Sequence, residues 1–76
     1  MGHDLPVVTA KQIIAVLERL GFQRRLLGGT SHRRYVHPDG RRTIVPFHAG
    51  QDLGRGLLRK ILKDIDVDPE EFKKLL

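Results

Sequence analysis

The sequence predicts a small α+β domain: one helix, a three-stranded antiparallel sheet, a second helix and a short third one, with the helices on one face of the sheet. Three observations carry this. An apolar pattern of helical period follows a capping signal at Thr9. From Phe22 the chain breaks into short segments divided by turn residues, and a second helical stripe begins near Arg55.

The first element is signalled by Thr9-Ala10-Lys11-Gln12, a capping box in which threonine and glutamine each satisfy the other's backbone N–H, with Val8 and Ile13 placed to form a hydrophobic staple. Ile13, Val16, Leu17 and Leu20 recur at helical spacing, and Gly21 is suited to end the helix in the left-handed conformation. This predicts a helix over about 10–20. Strands are expected at 22–27, 33–37 and 42–45. Gly28-Gly29-Thr30-Ser31 separates the first two, and His37-Pro38-Asp39-Gly40 has the residues of a type I turn followed by a bulge. Tyr35 and Val36 point to opposite sides, and the interspersed arginines leave open which face is buried. A second helix follows over about 55–65, its stripe formed by Leu57, Leu58, Ile61, Leu62 and Ile65. Asp68-Pro69-Glu70-Glu71 then supplies an N-cap, a first-turn proline and two carboxylates favoured by the helix dipole, which announces the short third helix.

Across the 76 residues there is no repeat, low-complexity tract or linker, so residues 1–76 read as a single domain. With no cysteine, neither a disulfide nor a thiolate zinc site supplements the core. The longest aliphatic run, Ile13 to Leu17, is far short of the roughly 20 residues that cross a bilayer. The N-terminus lacks the pattern of a signal peptide, so a cytoplasmic protein without membrane association is expected.

The net charge of +5 is unevenly distributed. Seven arginines but only one carboxylate, Asp39, lie between Arg19 and Arg42, whereas the C-terminal stretch is acid-rich. A guanidinium grips two phosphate oxygens at once, so this bias points to RNA or another phosphate polymer. RNA carries a 2′-hydroxyl beside every phosphorus. A protein that cuts it needs a proton carrier and charge stabilisation on the phosphate oxygens. Histidine, with an ordinary pKa of about 6.5, suits the first task. His32 is the best placed, following small residues that let a phosphate approach the backbone and preceding two arginines. Arg33, Arg34, Arg41 and Arg42 are the candidate phosphate contacts, with Gly29 and Ser31 beside them in the loop. His48 is a second proton carrier or an RNA contact, and His37 supports the turn before Pro38. A metal site reads poorly. His32 and His37 fall on opposite faces of a regular strand, and the carboxylates cluster where there is no histidine. No metal and no cofactor is expected.

Leu20-Gly21-Phe22, the Gly29-Thr30-Ser31-His32 loop, His37-Pro38-Asp39-Gly40-Arg41-Arg42, Val45-Pro46-Phe47-His48 and the helix from Leu58 to Leu62 occur here in an order that resembles the HicA-type toxins of prokaryotic toxin-antitoxin systems. The resemblance implies a fold like that of double-stranded-RNA-binding domains and an endoribonuclease that cleaves mRNA. It also implies His32 as the catalytic histidine and a HicB-type antitoxin as partner. Gly56-Leu57-Leu58 departs from the Gly-Thr-Leu that the family pattern has there. The competing reading is a non-catalytic RNA-binding module that recognises A-form shape. Such a module has no need of the Gly-Gly-Thr-Ser-His loop.

Overall fold

A computed structural model describes residues 5–25, 32–48 and 50–76. The elements run α1 (Ala10–Arg19), β1 (Gln23–Arg25), β2 (His32–Val36), β3 (Arg42–Pro46), α2 (Arg55–Asp64) and α3 (Pro69–Leu75). The three strands form one antiparallel sheet in the order β1-β2-β3. This is the predicted α+β layout.

Both ends of α1 are fixed by local chemistry. The Gln12 N–H donates to the Thr9 hydroxyl at 3.2 Å, and the Thr9 N–H donates to Oε1 of Gln12 at 2.8 Å, which completes the capping box. At the other end Gly21 has φ +96°, and the N–H groups of Gly21 and Phe22 donate to the carbonyls of Glu18 and Leu17. That pair of bonds is a Schellman motif. It also explains why the first strand starts at Gln23 and not at Phe22: the Phe22 amide is committed to the helix end and its ring is buried. The C-terminus of α2 repeats the motif, with Asp66 at φ +59° in the position Gly21 holds in the first. At the start of α3, Asp68 accepts from the Glu71 N–H at 2.9 Å.

Tyr35, Thr43 and Val45 face the helices and are buried, which resolves the alternation that the sequence leaves open. Tyr35 and Val45 pack with Ile13 and Leu17 of α1, Leu58 and Ile61 of α2, and Phe72 of α3 into one core. Val36 and Ile44 lie on the opposite, open face. The Thr43 hydroxyl donates to Asp64 at 2.9 Å, so the one buried polar side chain among the described residues ties sheet to helix.

The turn after β2 is a second fixed point. The Gly40 N–H donates to the His37 carbonyl, and the His37 N–H donates to the Arg41 carbonyl, with Gly40 at φ +100°. His37 sits beneath the end of α1. Its Nε2 is 3.0 Å from the Leu20 carbonyl, which can only accept, so Nε2 carries the hydrogen. Its Nδ1 accepts from the Asp39 N–H. A Cβ at position 21 would lie 3.3 Å from His37 Nε2, a tight contact that adds to the demand for glycine made by its φ. Phe22 meets the His37 ring edge-on at 5.0 Å. Histidine 37 is thus a structural residue that braces the turn against α1.

The connection from β3 to α2 folds back on the start of α1. The Leu53 N–H donates to the Val8 carbonyl at 2.8 Å, and Thr9 and Asp52 form an isolated antiparallel bridge. These bonds bring the N-terminal ends of α1 and α2 to the same side of the domain, next to the end of β3. Among the described residues no helix is long and apolar enough to cross a membrane.

Candidate active site

Strand register sorts the basic residues. His32 pairs with Pro46, Arg34 lies between Arg25 and Ile44, and Val36 lies between Gln23 and Arg42. Partners directly opposite in an antiparallel sheet share a face, and residues two apart on a strand do too. Because Tyr35 points to the core, His32, Arg34, Arg25 and Arg42 all lie on the open face. None of the three strands carries a carboxylate. Arg25 and Arg34 are like charges in directly opposed positions, an arrangement that destabilises a sheet in isolation. A phosphate placed between them would offset that cost. Ile44 is 41% exposed beside them, so the surface is cationic with an apolar centre.

Arg33 points the other way. Its guanidinium lies 3.8 Å from the centroid of the Phe47 ring, and Phe47 is half-buried with its body against the core. His48 follows and is exposed. It borders two clefts. One, of about 310 Å³, is lined by Thr9, Lys11, Phe47, His48 and Gly50. The smaller, of about 110 Å³, runs past Pro46, Leu53, Gly54 and Leu57 to the start of α2. Leu57, where the family pattern has threonine, therefore gives this smaller cleft an apolar wall.

The predicted site residues separate into three groups. His32 and Arg34 lie on the open face toward the end of the sheet where β2 begins, and Arg42, paired with Val36, lies on that face at the other end. Arg33 and His48 belong to the cleft side of the end where β2 begins. Arg41 is engaged elsewhere: it donates to both the Asp39 carboxylate and the Ile65 carbonyl, and it lies 5.2 Å over the Phe22 ring. The Arg41 backbone N–H, together with its guanidinium, holds the Asp39 carboxyl below the usual carboxylate range. These contacts make Arg41 a clamp between the β2–β3 turn and the end of α2. Gly29 and Ser31 lie outside the described residues. Arg25, Lys11 and Phe47 join the site without having been singled out from the sequence. For Arg25 the signal exists only in the strand register. For Phe47 it was present as an aromatic beside His48. Among the described residues no three His, Cys, Asp or Glu side chains come together to hold a metal ion.

What this end of the domain can do follows from its parts. Guanidinium groups can hold phosphate oxygens, an exposed imidazole can move a proton, and no carboxylate on the strands repels a polyanion. A family model described as the HicA toxin of bacterial toxin-antitoxin systems matches residues 10–67. The match runs from the start of α1 to the last residue of the α2 Schellman motif, and α3 lies beyond it. Among curated proteins no relative matches the chain.

Proposed function

The chain belongs to the HicA toxin family, and from this premise we propose that it is a metal-independent endoribonuclease that cleaves mRNA in the cytoplasm until a HicB-type antitoxin covers it. One observation carries the reading. The exposed His32 stands at the start of β2 on the same carboxylate-free face as Arg25, Arg34 and Arg42. The arginines take the phosphate backbone, and His32 moves the proton when the phosphodiester breaks. Arg34, two residues from His32 on the same face, stabilises charge on the non-bridging oxygens, which is the larger part of what such a site must do, and Arg42, at the far end of the sheet, takes another phosphate of the backbone. Gly29 and Ser31, which lie outside the described residues, are proposed as further RNA contacts. His48, across the strand end, is an RNA contact. An antitoxin that covers the open face would mask arginines and histidine together.

Toxicity tests the reading. Induced alone in bacterial cells, the chain is expected to arrest growth, and His32→Gln to be tolerated. Growth that continues unchanged with the folded wild-type chain present points instead to a binding module. In purified form, affinity for RNA is expected to fall at least about tenfold between roughly 50 and 200 mM salt, because several phosphates are engaged.

A further inference from the structure

The cleft beside Phe47 has a use that phosphate binding does not explain. We propose that it is a nucleobase subsite, holding one unpaired base of the RNA at the Arg33–Phe47 stack with Lys11 on the adjoining phosphate. The inference rests on RNA being the ligand of the site described above.

The stack is the first observation. Phe47 is fixed by the core behind it, and the Arg33 guanidinium lies against the ring at 3.8 Å. A half-buried arginine held on an aromatic has lost much of the freedom it would need to act as a mobile phosphate hook. It braces the Phe47 ring, and that ring is the planar, preorganised surface lining the cleft. Aromatic rings and guanidinium planes are the surfaces on which proteins stack unpaired RNA bases. The cleft is the second observation. At about 310 Å³ it lies at the low end of small-ligand pockets, room for one base with its ribose. Its lining is the third: among the described residues, one ring, one ammonium, one imidazole and one hydroxyl, with no carboxylate. That set fits a planar group joined to an anion. The Thr9 hydroxyl already accepts from Gln12, yet its oxygen keeps a second lone pair for a base N–H.

Position links the cleft to the chemistry. Arg33 follows His32 directly, and Pro46, the strand partner of His32, precedes Phe47. The base therefore belongs to a nucleotide next to the phosphate at His32, and the chain wraps from the open face around the strand end. A base within a duplex is paired and stacked on both sides and cannot enter. The subsite thus selects single-stranded RNA, although the order of helices and strands resembles that of double-stranded-RNA-binding domains.

The test measures binding in the His32→Gln background, so that RNA stays intact. A short unstructured RNA is compared with the same ribose-phosphate backbone lacking bases, at one salt concentration. The base-bearing RNA is expected to bind about tenfold more tightly, and Phe47→Leu to erase that preference while leaving the base-free backbone bound as before. Arg33→Lys, which keeps the charge and loses the plane, should also reduce the preference and keeps the test decisive should Phe47→Leu not fold. No preference at all, or a preference that survives in the folded variants, overturns the subsite while leaving the ribonuclease reading intact. Failure of the folded protein to bind either polymer overturns both.

Discussion

Replacing His32 by alanine is expected to slow RNA cleavage at least about 10²-fold while leaving the fold and most RNA affinity in place. The side chain is exposed at the first position of β2, so its removal opens no hole in the core. Its backbone stays paired with Pro46. A proton carrier contributes to the transition state far more than to the bound substrate, so the loss should appear in kcat and only weakly in KM. His32→Gln is the stricter variant, since glutamine keeps hydrogen-bonding capacity and cannot shuttle a proton. Near wild-type cleavage by a folded His32→Gln protein would reduce His32 to a positioning residue and turn attention to His48. Circular dichroism separates both results from loss of fold.

The second large effect is structural. Phe72→Ala is expected to remove about 3–5 kcal/mol of stability. The ring is fully buried, at 0% exposure, in a helix of only seven residues. For a 76-residue chain the whole folding free energy is about 4–11 kcal/mol, so the variant should sit close to unfolding at body temperature. Thermal melts should show Tm lowered by more than about 12 °C. The family match ends at residue 67, before α3, which makes the outcome informative. A melt unchanged by Phe72→Ala would mean that α3 is an appendage and that the elements the family model matches close into a fold without it. The buried ring and the bond from Arg19 to the Leu75 carbonyl at 2.7 Å argue that α3 completes the core.

The helices were legible because their signals are local. The capping box at Thr9, the Gly21 terminus and the Asp68-Pro69 start each lie within a few residues of the hydrogen bonds they make, and all three appear as expected. The β2–β3 turn was legible for the same reason. The faces of the sheet were not, because arginines occupy both. Arg33 and Arg34 are adjacent in sequence, yet one stacks on Phe47 and the other joins the open face. Only the burial of Tyr35 decides which is which. Arg41 and Arg42 read alike in the sequence, and the difference between them is set by the Ile65 carbonyl, 24 residues away. Arg25 becomes part of the surface through pairing with Arg34, a relation that no local pattern encodes.

Cleavage of a labelled, unstructured RNA by the purified chain in excess EDTA tests the central claim most directly. The site as assigned moves a proton with an imidazole and stabilises charge with guanidinium groups, so nothing in it calls for a divalent ion. Discrete fragments are expected to form in EDTA at the same rate as in magnesium, with His32→Gln leaving the RNA whole in both. RNA left intact by the folded wild-type chain in EDTA, and cut again once a divalent metal is restored, would contradict the claim.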